Sequence, residues 1–197
     1  MLREVQRAVA TAQIEPVMVG GIDVGRAHDL TELVVLGRAP GHSLPMRFCV
    51  SLREVEFDDQ QALLWEVITS LPFTAVLVDR NGIGAHLAEN LERTGRAVGV
   101  DFTNEMKELF AVEARVQAER GKTPLPLDRD LAYQIHSIKR SKTMTMRNRY
   151  DAARNELGHA DRFWGWALAI WAASAVDMAQ ATGQQIIDRR VPIGPGY

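Results

Sequence analysis

Three aspartates stand where apolar segments begin or end, and these positions suit chemistry better than packing. Asp23 comes near the end of the apolar run VMVGGIDVG, and Asp79 is the first charged residue after the apolar run AVLV. Asp161 stands at the entrance of FWGWALAIWAA, the longest strongly apolar run in the chain. Because ligand sites in open α/β sheets lie outside the carboxyl ends of the strands, Asp23 and Asp79 fall where such a site would be built.

Each aspartate also has a simpler explanation. An aspartate after a strand is commonly a turn former whose side chain accepts a hydrogen bond from a nearby backbone N–H, and Asp161 is equally explained as a helix N-cap. Turn chemistry does not predict the order of the three, with one after the first strand, one after the fourth and one at the start of a terminal core helix. Asp29, six residues after Asp23, either reaches the same site or begins the next turn.

Carboxylates that are brought together repel one another unless cations neutralise them, and hard divalent ions such as Mg²⁺ take oxygen ligands of this kind. Two such ions, about 3.5 to 4 Å apart, activate a water molecule and stabilise the leaving oxygen in phosphodiester hydrolysis. The three aspartates therefore indicate a nuclease or a polynucleotidyl transferase.

The patterning of the chain predicts a mixed sheet that holds these residues. Three consecutive strand signals joined by short turns, VMVGGIDVG, LVVLGR and Met46 to Val55, predict an antiparallel meander. A strand from Ala75 to Asp79, a helix from Ala85 to Arg93 and a strand from Ala97 to Phe102 predict a parallel pair with a right-handed crossover. The fold class is therefore α/β, with an antiparallel meander and parallel strands in one sheet flanked by helices.

The remaining elements are predicted to be mostly helical. Expected helices are an N-terminal one over residues 2 to 14, one capped by Asp59 that closes at Leu71, then Asn104 to Arg120, Asp128 to Ile138, and about Asp161 to Ala179. SKTMTMRNRY alternates like a strand or hairpin. The three tryptophans of the last helix, Trp164, Trp166 and Trp171, are better explained as core than as a base-stacking platform.

Composition narrows the function classes. The 197 residues are 46% hydrophobic and 24% charged with a net charge of -2, which excludes low-complexity disorder and a globally basic nucleic-acid binder. A single cysteine, Cys49, excludes a disulfide scaffold and a Cys-cluster zinc site. Without a signal peptide or a membrane-spanning run, a reducing cytoplasmic setting is expected.

One segment is strongly basic despite the near-neutral total. Between Leu131 and Tyr150 lie five basic residues and no acidic one, namely Lys139, Arg140, Lys142, Arg147 and Arg149. Such a patch suits contacts to DNA phosphates, although a solvated surface hairpin has the same composition. Arg80 and Arg162, each beside a candidate aspartate, either face phosphate or serve as local charge partners. His159 is either a site residue or a capping or surface residue.

At these residues the sequence resembles the nuclease domain of the large terminase subunit of tailed phages, in particular its Mu-like prophage branch. The resemblance rests on the order of GIDVGRAHDLTELVVLG, AVLVDRNGIGAHLAENL, a basic segment and GHADRFWGWALAIWAA, and covers roughly residues 17 to 178. It implies a ribonuclease H-like fold and cleavage of double-stranded DNA concatemers during genome packaging with two Mg²⁺ or Mn²⁺ ions. On this chain it implies that Asp23, Asp79 and Asp161 are the metal ligands, with Asp29 as an auxiliary.

The resemblance also implies a domain organisation and partners. A terminase large subunit has a packaging ATPase, but this chain has no G-x-x-x-x-G-K-[ST] phosphate loop. We therefore expect residues 1–16 to form a linker helix from a missing ATPase domain, residues 17–180 the nuclease domain and residues 181–197 a flexible tail. Expected partners are double-stranded DNA, the packaging ATPase domain, the portal and the small terminase subunit, in the cytoplasm of the bacterial host. We expect the isolated domain to be monomeric and to have no membrane partner.

Two other functions remain open. One is a non-catalytic packaging-assembly or docking module with a ribonuclease H-like fold, and the other is a different ribonuclease H-like nuclease such as a junction resolvase. The three carboxylates argue against an inactive scaffold, because a scaffold has no need to gather like charges.

Overall fold

The computed structural model describes residue 10 and residues 14–25, 30–142, 148–152 and 160–182. Most of the helix predicted over residues 2 to 14 therefore lies outside the described residues. The same holds for Asp29, Arg147 and His159, and for all but two residues of the predicted tail.

Five of the described strands form one mixed sheet. They are β1 (Met18–Asp23), β2 (Thr31–Gly37), β3 (Met46–Leu52), β4 (Phe73–Asp79) and β5 (Ala97–Val100), and their order across the sheet is β3-β2-β1-β4-β5. The pairs β1–β2 and β2–β3 are antiparallel, whereas β1–β4 and β4–β5 are parallel. The predicted meander joined to parallel strands is confirmed.

Helices cover both faces of the sheet. They are α1 (Phe57–Ser70), α2 (Gly84–Glu92), α3 (Asn104–Glu119), α4 (Arg129–Ser137) and α5 (Asp161–Thr182). The Asp59 cap is wrong, because α1 begins at Phe57 and Glu56 occupies the N-cap position. Asp58 and Asp59 lie in the first turn instead, where the helix dipole favours negative charge just as a cap position favours aspartate.

The sheet is buried on both faces, so its central strands are continuous apolar runs. On one face, Leu64 of α1 and Leu87 of α2 pack with Ile22 of β1 in one core cluster. On the other, α5 crosses the sheet and forms a second cluster that includes Phe110 of α3 and Trp166 of α5. Trp164 and Trp166 are buried in this second cluster and Trp171 packs partly buried against it, which confirms that the tryptophans belong to the core.

The basic segment forms a separate two-stranded hairpin. Strand β6 (Ile138–Lys142) pairs antiparallel with β7 (Asn148–Ala152), and residues 143–147 between them lie outside the described residues. The side chain of Asn148 donates a hydrogen bond to Glu108, which ties β7 to α3. Among the helices described, none combines the length and the apolar character needed to cross a membrane.

Candidate functional site

The sheet register places Asp23 and Asp79 side by side. They are the last residues of the neighbouring parallel strands β1 and β4, directly after the paired residues Ile22 and Val78. Successive side chains of a strand point to opposite faces, so Asp23 shares a face with Val19, and Asp79 with Leu77. Val19 and Leu77 pack in the core cluster under α5, so both carboxylates lie on the α5 face at the carboxyl edge of the sheet.

A close approach between two glycines brings Asp161 to the same edge. A Cβ built on Gly21 would overlap the backbone oxygen of Gly165 and the backbone nitrogen of Ala169, so only glycine lets α5 lie this close to β1. Asp161 lies one turn before Gly165 in α5, and Asp23 lies two residues after Gly21 in β1. Packing of α5 against β1 therefore carries the third carboxylate towards the first.

The electrostatics of Asp23 show that the three carboxylates share one environment. Asp23 is 8% exposed, and burial raises the pKa of its carboxyl group well above the ordinary value. The negative charges of Asp161 and Asp79 raise this pKa further, whereas the positive charge of Lys107 lowers it. Asp161, at 5% exposure, is as buried as Asp23. The structure thus brings together the three aspartates that the sequence singled out.

Asp79 is both a turn former and a buried carboxylate of the candidate site. Its Oδ1 atom accepts a hydrogen bond from the backbone N–H of Asn81 at 2.8 Å, which is the turn-forming contact. Burial nevertheless raises the pKa of Asp79 to about 6, against the lowering effects of the Asn81 hydrogen bond and of Lys107. The turn therefore holds the carboxyl group in a buried position without satisfying its charge.

The three aspartates offer carboxylate oxygens as metal ligands, and these are the ligands that Mg²⁺ and Mn²⁺ prefer. Among the residues that the structure describes, no three His, Cys, Asp or Glu side chains lie close enough together to hold one metal ion. Mutual repulsion of carboxylates opposes such convergence, and after burial it is the second cause of the raised pKa of Asp23. The residues fit a hard divalent ion in type and lie at one edge of the sheet, although their described side chains do not form a coordination shell.

Sequence reasoning missed Glu32, which β1–β2 pairing places directly opposite Asp23. Glu32 is fully buried, and burial raises its pKa despite the lowering effect of Arg162. Its Oε1 atom accepts hydrogen bonds from Arg162 at 3.1 Å and from Ser51 at 2.7 Å, and its Oε2 atom has no hydrogen-bond partner among the described residues. A glutamate inside the apolar strand TELVVLG was the signal that could have identified it.

Arg162 and Arg80 both act as local charge partners. Arg162 donates to Asp128 at 2.6 Å as well as to Glu32 and Ser51, and these contacts weaken the case for its contact with DNA. Arg80 is exposed and forms two 2.7 Å hydrogen bonds to Asp101. Of the two, Arg80 is the more accessible to a ligand.

The hairpin presents most of its basic residues to solvent. Lys139, Arg140 and Lys142 lie exposed on β6. Arg149 of β7 forms an ion pair with Asp151 at 2.6 Å, just beyond the acid-free segment, so this charge is partly compensated. The hairpin joins α3 at Glu108, next to Lys107, whose charge acts on Asp23 and Asp79.

This arrangement of strands and helices recurs in solved structures. Neither a protein-family model nor a curated protein sequence matches the chain. The large terminase nuclease from thermophilic phage G20c with bound magnesium is 21% identical, with a TM-score of 0.68 over 78% of this chain and 80% of that one. The chain has the fold of large terminase nuclease domains.

Two further terminase nucleases share that fold. The nuclease domain from Thermus phage P74-26 is 20% identical, with a TM-score of 0.63 over 78% of this chain and 77% of that one. The g2p nuclease domain from bacteriophage SPP1 with bound manganese is 12% identical, with a TM-score of 0.53 over 82% of this chain and 87% of that one. The predicted fold class, a mixed sheet of antiparallel and parallel strands flanked by helices, is confirmed.

Proposed function

We propose that this chain is a metal-dependent endonuclease that cleaves double-stranded DNA during phage genome packaging. The observation that carries the proposal is the meeting of three buried aspartates, Asp23, Asp79 and Asp161, at one edge of a terminase nuclease fold. Buried like charges cost stability, and such groups cluster at functional sites. The neighbours with bound magnesium and manganese support a divalent metal as cofactor.

In this proposal Asp23, Asp79 and Asp161 hold two Mg²⁺ or Mn²⁺ ions, with Asp29 as an auxiliary ligand. Two ions bound in this way activate a water molecule and stabilise the leaving oxygen of a phosphodiester. The fold fixes the positions of the three carboxylates. Asp23 and Asp79 lie at the ends of two hydrogen-bonded strands, and Asp161 lies on a helix that packs directly on β1. Rigid elements of this kind hold a site more precisely than loops do.

DNA would be held by contacts to its phosphates rather than to its bases. The proposed contacts are the hairpin residues Lys139, Arg140, Lys142, Arg147 and Arg149, together with the exposed Arg80. Such contacts give affinity without sequence discrimination. The packaging ATPase domain, the portal and the small terminase subunit are the proposed partners, with residues 1–16 as the link to the ATPase domain and residues 17–180 as the nuclease domain.

Cleavage of supercoiled plasmid in Mn²⁺ or Mg²⁺ tests the proposal. We expect wild type to cut, and Asp23→Asn, Asp79→Asn and Asp161→Asn each to lose at least about 100-fold in rate, because each removes a charged ligand of a metal pair. Asp59→Asn is the matched control, since Asp59 is exposed in the first turn of α1 on the opposite face of the sheet. An intact plasmid with wild type would favour the docking-module alternative.

Binding of a short duplex tests the hairpin. Replacing Arg147 and Arg149 with alanine is expected to weaken binding at low salt, because fewer counterions are released from DNA when fewer phosphates are neutralised. An unchanged dissociation constant would show that this hairpin does not contact DNA.

A further inference from the structure

Lys107 lies at the same edge of the sheet as the aspartates, although its sequence context gives no hint of this. Strand β5 runs parallel to β4, with Val100 paired to Asp79, so both strands end at one edge. Helix α3 begins four residues later at Asn104, and Lys107 lies in its first turn. The parallel strand order that places Asp79 beside Asp23 thus also places Lys107 near these carboxylates.

Two aromatic rings hold the ammonium group in place. The Nζ atom of Lys107 lies 5.0 Å from the ring centroid of Phe102 and 5.0 Å from that of Trp164, within cation–π range of both. Trp164 lies in the first turn of α5, which begins at Asp161. Phe102 exchanges two hydrogen bonds with Asn81, whose backbone N–H bonds Asp79. The ammonium group therefore lies between the segments that carry Asp79 and Asp161.

Lys107 differs from the arginines near the site in its charge partners. Within the described part of the chain, no carboxylate lies at ion-pair distance from its ammonium group, whereas Arg80, Arg149 and Arg162 all pair with acidic side chains. Its charge nevertheless reaches the cluster, because it lowers the pKa of both Asp23 and Asp79. A cation that is held by aromatic faces beside carboxylates keeps its N–H donors for an anionic ligand.

We propose that Lys107 donates a hydrogen bond to a phosphate oxygen of the DNA strand bound at the aspartate cluster. This inference rests on the proposed nuclease function, since it names a further residue that touches the substrate at that site. A charge-assisted hydrogen bond to phosphate both positions the strand and stabilises charge that develops on the phosphoryl oxygens during cleavage. The aromatic rings fix the ammonium group without competing for its donors.

The test compares Lys107→Met, which keeps an apolar stem against the rings, with Lys107→Arg, which keeps the charge. Arg115→Met is the matched control, because Arg115 is an exposed cation about two turns further along α3 that pairs only with Glu119 among the described residues. Plasmid cleavage in Mn²⁺, and short-duplex binding in Ca²⁺ as a function of salt, are measured for each variant.

Lys107→Met is expected to lower the cleavage rate roughly tenfold or more and to reduce the slope of log affinity against log salt by about 1. Lys107→Arg should recover most of the cleavage rate and of the salt slope, and Arg115→Met should change neither quantity. The rise in Tm that Mn²⁺ produces should be kept in Lys107→Met, since loss of a positive charge beside carboxylates does not weaken cation binding.

The inference is overturned if Lys107→Met keeps the wild-type cleavage rate and salt slope, or if Lys107→Arg recovers neither of them. It is also overturned if Mn²⁺ no longer raises the Tm of Lys107→Met, because that would indicate a structural role. If wild type itself leaves DNA intact, the nuclease proposal fails. The salt slope of Lys107→Met still decides in that case whether this lysine contacts a phosphate.

Discussion

Two adjoining groups of buried charge at this edge of the sheet are built in opposite ways. The aspartate cluster, Asp23, Asp79 and Asp161, gathers like charges, and burial together with mutual repulsion raises the pKa of Asp23. The paired cluster, Glu32, Arg162, Asp128 and Ser51, joins opposite charges through hydrogen bonds of 2.6 to 3.1 Å. The two groups meet at the neighbours Asp161 and Arg162 and at the cross-strand pair of Asp23 and Glu32.

The difference separates structural from functional charge. In the paired cluster each charge has a partner of opposite sign, so removal of one partner leaves the other buried and unpaired and should destabilise the fold. In the aspartate cluster, Lys107 lowers the pKa of Asp23, and the Asn81 hydrogen bond and Lys107 lower that of Asp79, but burial keeps both pKa values raised, so neutralising Asp23 or Asp79 should stabilise the fold. Residues that lower stability in this way are retained for what they bind.

The largest effect on stability is expected from breaking the paired cluster. Arg162→Met leaves the fully buried Glu32 without its cation, and we expect the free energy of unfolding to fall by about 3 to 5 kcal/mol. The control is Arg80→Met, which breaks an exposed pair with Asp101 and should cost no more than about 1 kcal/mol. Urea denaturation measures both, and equal losses would erase the distinction between buried and exposed pairs.

Divalent metal should act on the aspartate cluster alone. Mn²⁺ at about 100 times its dissociation constant should stabilise wild type by about 2.7 kcal/mol, because it binds the folded state preferentially. The stabilisation by Mn²⁺ should be lost in Asp161→Asn. It should be kept in Glu32→Gln, which is expected to be less stable than wild type without metal. Thermal unfolding with and without Mn²⁺ gives the comparison, and stabilisation of Asp161→Asn equal to that of wild type would contradict this assignment of the ligands.

Gly21→Ala should disturb the approach of α5 to β1 and so move Asp161 away from Asp23. The added Cβ meets backbone atoms of Gly165 and Ala169, which cannot rotate aside, and we expect a loss of about 1 to 3 kcal/mol together with loss of cleavage. Gly20→Ala is the control, since its Cβ would meet side-chain atoms of Phe73 and Val76 at 3.1 to 3.3 Å. If Gly20→Ala were the more damaging, the contact between α5 and β1 would not be what sets the site.

The stability of the fold should also depend on pH through Asp79. The pKa of Asp79 is about 6 in the folded chain and about 3.9 in an unfolded one, so the folded state binds more protons between these values. The stability that protonation of Asp79 gives the folded state is fully present below about pH 4 and is lost as pH rises through 6. Asp79→Asn should therefore nearly match wild type at pH 4 and exceed it by about 3 kcal/mol at pH 7. Unfolding curves measured without divalent metal at both pH values decide this, and a variant less stable than wild type at pH 7 would contradict the sign.

Much of the fold was predictable because its signals are local. Apolar runs ended by Gly or Asp marked β1 and β4, and Gly95, at a φ of +70°, closes the turn after α2. Helix and strand boundaries were less predictable, as α1 shows, because neighbouring acidic residues suit several positions at a helix start equally well.

Local sequence patterns were enough to predict the kinds of elements, their order, and the three aspartates at the ends of those elements. Tertiary structure alone decided which charges meet: Glu32 with Arg162 across 130 residues, and Lys107 with the rings of Phe102 and Trp164. The physical reason is range. Periodicity and capping act within a few neighbouring residues, whereas the pairing of a buried charge depends on which distant side chain the packed helices and strands bring within hydrogen-bond reach.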